Sequence, residues 1–446
     1  MKKVFAGFSV GRCGLRGVAL GVMTLMSSTT MAADLMRIYE MALDSDPALR
    51  IARATRDSTA ENRPQALAPL LPQVSASGTV MRNSRDTRLS KMNYDSTTAN
   101  LNISQAILKF DQWIILDRTK NSIAQADAQY VAADLNLMLR VAQSYFAILA
   151  AQDNLGFTKA ELEAIGRQLD QANQRFKVGL IPITDVHEAQ AAYDGAKAAV
   201  ISAENTLDDS WEALREIVAD LNDRHINGLR ENIALSSPKP TNADAWVEQA
   251  MLNNPEIIAS YNSSESARKN IKQQRSGHLP TVDLVAQIAS LDVNPTSAAN
   301  FGNDSSSIGL QLNIPIFSGG LVNSKTRQAR HDYQASADTL EQVRRAIKRE
   351  VSDAFRGIVT SISRVEALKS TVRSAESALK ATMAGFEVGT RTMVEVLDVQ
   401  RNLFSARRNY AQARYDYVLN GLKLKNAAGS LKVDDLRLVN SLLTKR

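Results

Sequence analysis

The mature part of this sequence is written twice. Residues 386–400, FEVGTRTMVEVLDVQ, repeat a pattern already used at 176–190, FKVGLIPITDVHEAQ, 210 positions earlier. Asp46-Pro47 and Asn254-Pro255 stand 208 apart, as do LPQVSASG from Leu71 and LPTVDLVA from Leu279; LNIS from Leu101 and LNIP from Leu312 stand 211 apart. A near-constant offset held over so many landmarks marks a duplication. Whatever one half folds into, the other must fold into a relative of it. The copies span 33–237 and 245–446, joined by a linker, 238–244, inside the Ser, Pro and Asn-rich SSPKPTNAD.

Ahead of the first copy stands a leader, 1–32. A basic start, MKKVFAGFSVGRCGLRG, precedes the apolar VALGVMTLM and the small-residue pattern Thr30, Met31, Ala32, as in a secretory signal peptide cleaved after Ala32. The apolar run is far short of the ~20 residues an anchored helix needs. The sole cysteine, Cys13, leaves with it, so the mature chain holds no disulfide, thiol or cysteine metal site. Lys2, Lys3, Arg12 and Arg16 leave too, and the formal charge of +6 falls to roughly +2, which gives no reason to expect nucleic acid as a partner.

Within each copy the same order of patterns appears. A helical stretch, Leu35 to about Arg63, stops near Pro64 or Pro69; its twin, Ala245 to about Ser276, stops near Pro280. Two alternating segments follow. Val74, Ala76, Gly78 and Val80 oppose Gln73, Ser75, Ser77 and Thr79, and Ala99, Leu101 and Ile103 oppose Asn100, Asn102 and Ser104. In the second copy Val282, Leu284, Ala286 and Ile288 pair with Ile308, Leu310, Leu312, Ile314 and Ile316. Strands of about nine to eleven residues are expected, the length a tilted strand needs to cross a bilayer. The polar stretches between them read as exposed loops. A soluble hairpin with one wet face is the ordinary alternative for either pair alone; two matching pairs behind a signal peptide favour an outer membrane.

The rest reads as helix. From Phe110 to Val178 and from Leu321 to Val388 there is almost no Gly or Pro, and nearly seventy residues of helix span ~100 Å. Helices of that length survive by packing along one another. After each Val-Gly break the chain returns, from Asp185 to about Leu221 with Thr184 as N-cap, and from Thr392 to about Ala428. The reversals at Gly179 and Gly389 should therefore lie at the same end of the molecule, each glycine supplying a positive φ.

Four strands cannot close a barrel, and an open sheet edge in hydrocarbon leaves backbone groups unpaired at several kcal/mol each. Strands from several copies must combine: eight in a dimer, twelve in a trimer. Three chains are the smaller extrapolation from the need for a bore between the helices, and sequence alone leaves other numbers open. No nucleophile and base arrangement is visible, GFEVG at 385–389 lacks the features of a nucleotide loop, and His187, His225, His278 and His331 show no metal-ligand spacing. An enzyme and a metal site are not expected.

FEVGTRTMVEVLDVQRNLF, followed by ARYDYVLNGLKLKNAAGSL, together with RFKVGLIPITDVHEAQAAYD, LNISQAI and LNIPIFSGG, resembles the TolC family of outer-membrane channel proteins over essentially residues 33–446. The resemblance implies an α+β membrane protein: a homotrimer with a 12-stranded β-barrel, four strands per chain, continued by a periplasmic α-helical coiled-coil barrel and girdled by a mixed equatorial belt. The belt would include the linker and the segment after Gly429. It implies a passive, non-catalytic exit duct without cofactors, serving tripartite efflux or type I secretion. Its partners would be a periplasmic adaptor (membrane fusion) protein, an inner-membrane RND or ABC transporter, and outer-membrane lipid.

By residue match, Arg391 would latch the closed periplasmic tips onto Thr184 and Asp185 of the partner hairpin. Phe386 stands where a tyrosine commonly adds a hydroxyl contact, and Glu395 where an aspartate is common. Glu395 and Asp398, three apart on one helix face, would ring the narrow end of the pore and favour cations. The tips Val178-Gly179 and Val388-Gly389, with Leu180, Ile181 and Met393 nearby, would present apolar groups to the adaptor. A soluble periplasmic coiled-coil adaptor, which also has long helical hairpins, is the alternative reading; a structural or phage-receptor role in the envelope is a third.

Overall fold

Pro47 and Pro255 decide how each copy begins. The residue before a proline avoids the helical region, and in both places it is a side chain able to cap the next helix. In the computed structural model, which describes residues 34–87, 90–219, 224–295 and 301–444, the expected helix over Leu35–Arg63 is therefore interrupted. It divides into α1 (Leu35–Ser45), α2 (Pro47–Ala60) and α3 (Asn62–Leu67), with Asp46 extended and its carboxylate accepting Leu49 N–H at 2.7 Å. The twin divides likewise at Asn254 into α6 (Ala243–Asn253) and α7 (Pro255–Arg275). The proposed leader lies outside the described residues.

Four strands form one antiparallel sheet: β1 (Gln73–Thr87), β2 (Ser90–Leu108), β4 (Thr281–Pro295) and β5 (Phe301–Asn313), in the order β1-β2-β4-β5. The ladder sets Val74 opposite Ile103, Ile103 opposite Ala286 and Ala286 opposite Ile308, so one face carries an apolar row across all four strands. The adjacent row, Ser75, Asn102, Gln287 and Ser307, is polar and points the other way. Val74, Val80, Ile288, Ile308, Leu310 and Leu312 are all exposed on the apolar face. The strands run beyond the expected length because polar pairs extend the ladder past the apolar band: Arg82 meets Asp95 at 2.9 Å, and Asn83 Nδ2 donates to Ser96 Oγ at 3.0 Å. Among the described residues, β1 and β5 each keep one unpaired edge.

Below the sheet run α4 (Phe110–Lys177) and α8 (Leu321–Glu387), 68 and 67 residues, with the returning helices α5 (Ile183–Val218) and α9 (Met393–Ala427). Each long helix spans ~100 Å. No helix among the described residues is long and apolar enough to cross a membrane. One flank of α4 is covered first by α2 and then by α5; the other first by α7 and then by α9, beyond which lies α8. The short helices stack on the ends of the returning ones. Ser45 Oγ donates to Ile217 O at 3.2 Å, and Asn254 Nδ2 donates to Ala427 O at 2.9 Å. Gly429 (φ +65°) makes the second junction possible, since a Cβ there would lie 2.7 Å from Asn253 O.

The largest core surrounds the middle of α4. Leu35 and Ile38 of α1, Tyr145 and Phe146 of α4, Trp211 and Leu214 of α5 and Tyr415 of α9 pack with Leu436 of α10 (Val433–Ser441). Two short strands, β3 (Gly228–Leu229) and β6 (Leu443–Thr444), pair beside it. Buried Asp46 also holds Arg140 of α4 through both oxygens, at 2.8 and 3.2 Å, anchoring α2 to this belt.

An arginine on the apolar sheet face should be costly and one on the polar face tolerated. Leu310→Arg is expected to destabilise insertion by about 2–4 kcal/mol, and Ser307→Arg to change it little, as read by denaturant titration of the protein folded into liposomes.

Candidate gate at the hairpin tips

Both helical hairpins reverse by the same hydrogen-bonded motif. At the end of α4, Gly179 N–H donates to Phe176 O and Leu180 N–H to Arg175 O, both at 2.9 Å; at the end of α8, Gly389 N–H donates to Phe386 O at 3.2 Å and Thr390 N–H to Gly385 O at 2.8 Å. Each satisfies orphan carbonyls of the long helix and requires a left-handed residue. Gly179 and Gly389 supply it, at φ +76° and +78°.

Behind the turns lies a second apolar core that ties the hairpins together. Ile165, Leu169 and Ala172 of α4, Val186 and Ala189 of α5, Phe386 of α8 and Met393, Val396 and Leu397 of α9 form it. With half-buried Tyr193 packed against the cluster, Phe386, only 7% exposed, is the one aromatic among its buried members. The Arg175 guanidinium lies over that ring at 4.6 Å from the centroid. Met393 is fully buried here and Ile181 packs against the cluster, so neither stands at the exposed tip as expected. The most exposed large apolar groups at the described tips are Val178, Leu180 and Val388, at 70, 72 and 75%.

Arg391 is oriented by its own hairpin. Its Nη1 donates to Glu395 Oε1 at 2.6 Å, one turn along α9. Glu395 Oε2 accepts Thr392 N–H at 2.7 Å and the Thr392 hydroxyl at 3.1 Å, while Thr392 Oγ1 accepts Glu395 N–H at 3.3 Å. This reciprocal cap is legible in the spacing Thr392-x-x-Glu395. The Thr392 N–H and then Arg391 hold the Glu395 carboxyl below its ordinary pKa. Among the described residues of one chain, no hydrogen bond or ion pair joins Arg391 to Thr184 or Asp185. Those two lie in the first turn of α5, where Pro182, and not Thr184, is the N-cap. Asp398 meets Arg401 at 3.4 Å and is otherwise exposed, so of the two suggested ring carboxylates it is the less committed. No group of His, Cys, Asp and Glu among the described residues could hold a metal ion.

The sequence model of one family, described as "Outer membrane efflux protein", matches residues 38–220 and 246–430, one match to each copy. The chain belongs to that family. It is 39% identical over 432 residues to outer membrane protein TolC of Vibrio cholerae, covering 93% of this chain and 95% of that one. It is 37% identical over 431 residues to TolC of Escherichia coli, covering 94% and 87%. The fold matches the crystal structure of the Campylobacter jejuni CmeC outer membrane channel with a TM-score of 0.79 at 14% identity, covering 97% of this chain and 98% of that one. This family member is a non-catalytic outer-membrane channel of a tripartite efflux or secretion system, and it reaches across the periplasm.

The depressed pKa of Glu395 fixes a sign. Its stabilisation of the α9 start is complete above the ordinary carboxylate range and is lost as pH falls through the lowered value. Glu395→Ala should speed amide exchange at residues 392–396 at neutral pH. Acidification should raise the parent's exchange, corrected for the intrinsic rate, toward that of the variant.

Proposed function

We propose that three copies join the free edge of β5 in one chain to β1 of the next, closing a 12-stranded barrel in the outer membrane. The same closure brings α8 of one chain beside α2 and α5 of its neighbour, completing the coiled-coil tunnel below. The carrying observation is a four-stranded sheet with an apolar face and two unpaired edges. In hydrocarbon those edges are untenable. A soluble adaptor would have no use for such a face.

In this reading the hairpin tips close the periplasmic end and open like an iris as the inner hairpin, α8–α9, uncoils. Arg391, steered by Glu395, spends one donor on it and keeps others of its five N–H groups for Thr184 and Asp185 of a neighbouring copy. Asp398, with Glu395 partly neutralised behind it, lines the narrow end and favours cations. Val178, Leu180 and Val388, beside Gly179 and Gly389, form the apolar rim that meets the helical hairpins of the adaptor, which in turn connects to an inner-membrane RND or ABC transporter.

Purified protein in planar bilayers should show low, cation-selective conductance. Arg391→Ser should raise the conductance, and an unchanged value would count against the latch. Asp398→Asn combined with Glu395→Gln should weaken the preference for cations, read from the reversal potential in a salt gradient.

A further inference from the structure

The duplication aligns Arg175 with Gly385 and Ile181 with Arg391, so the two copies carry their tip arginines at different places. The reason is steric. In the second tip Arg391 lies across Gly385, where a Cβ would stand 2.7 Å from Arg391 Cγ; a side chain at 385 would push Arg391 away. In the first tip, with Ile181 in place of that arginine, position 175 is free to carry a long cation. Arg175 uses that freedom to reach the other copy, over the buried ring of Phe386.

A second observation lies in the seam just behind the tips. Gln168 of α4 and Gln400 of α9 are 8 and 3% exposed, and each has a sealed amide atom without a hydrogen-bond partner: Gln168 Oε1 and Gln400 Nε2. Gln168 follows Ile165 by three, and Gln400 follows Val396 by four, so both point with the apolar core that joins the hairpins. Because these atoms are closed off within a single chain, no neighbouring copy can satisfy them unless a helix moves. Separating the hairpins would let water do so, and unpaired buried amides favour that movement.

We propose that Arg175 and Phe386 form an intrachain clasp that holds the two hairpins together, and that Gln168 and Gln400 oppose it, biasing the same seam toward opening. The clasp deepens the channel reading above and rests on it. It is distinct from Arg391, whose guanidinium is held by Glu395 within one chain. Phe386 thereby acquires a closing role that needs no hydroxyl.

The two halves of the proposal predict opposite signs, which a general loss of folding cannot mimic. In planar bilayers, Arg175→Ala should raise the open fraction about fivefold, the factor that accompanies ~1 kcal/mol of guanidinium–ring attraction. Phe386→Leu, which keeps an apolar group and removes the ring, should do the same, Phe386→Trp should stay at or below the parent, and the Arg175→Ala, Phe386→Leu pair should not exceed the larger single change. In the Arg175→Ala background, Gln400→Leu should lower the open fraction again by about fivefold. Parent-like gating of Arg175→Ala, or increased opening by Gln400→Leu, would overturn the proposal. A readout independent of conduction uses spin labels at Lys177→Cys and Glu387→Cys, in labelled chains diluted among unlabelled copies. Arg175→Ala should lengthen or broaden the distance between the tips. An unchanged distribution would overturn the clasp even if the channel conducts, whereas a parent that fails to conduct but shows the expected broadening would overturn only the channel reading.

Discussion

Backbone hydrogen bonding in hydrocarbon is the constraint on which the rest of this structure depends. A strand edge that faces lipid leaves N–H and C=O groups with no water to take them, and this chain has two such edges, on β1 and β5. Four strands of this length neither curl shut nor hide an edge. The apolar row from Val74 to Ile308 suits a sheet in the membrane, and in the proposed barrel other copies supply the missing partners. In the proposed assembly, bore and symmetry follow from these two unsatisfied rows of peptide groups.

The helices meet the complementary problem in water. A 68-residue helix has no intrinsic stability proportionate to its length, because helix formation in water is marginal without packing. Duplication offers a solution: the second copy supplies α7 and α9 to pack along α4, with α8 lying against them in turn, and the short helices after Asp46 and Asn254 stack on the returning ones to fill the row. The mid-height core around Tyr145, Phe146 and Tyr415 fixes this arrangement, while the smaller cluster at Phe386 and Met393 leaves the tips the less secured end. The proposed gating, with opening at one end and a seal to the membrane at the other, needs that gradient.

Much of this was legible in the residues, for a physical reason in each case. The ends of α4 and α8 fall within one residue of the expected Val178 and Val388 because Val-Gly breaks an otherwise Gly- and Pro-poor run and a single left-handed residue completes the cap. The interruptions at Asp46 and Asn254 were visible as aspartate-proline and asparagine-proline but were overridden by the continuing helical pattern on either side. Strand lengths were underestimated because the apolar band, and not the ladder, sets the alternating signal; Arg82 and Asp95 carry pairing beyond it. At the gate, the pairing of Thr392 with Glu395 obeys a local spacing rule, whereas Arg175 over Phe386 joins residues more than two hundred apart. Such a contact depends on which faces the two copies turn toward each other, and no local pattern encodes that. The burial of Met393 has the same origin.

The central claim is that the wall is shared among copies, and the number of chains tests it most directly. Native mass spectrometry of the mature protein released from detergent micelles after extraction from the outer membrane should give the mass of three chains. A particle containing a single chain, or a protein recovered from the periplasm without detergent at the mass of one chain, would contradict it.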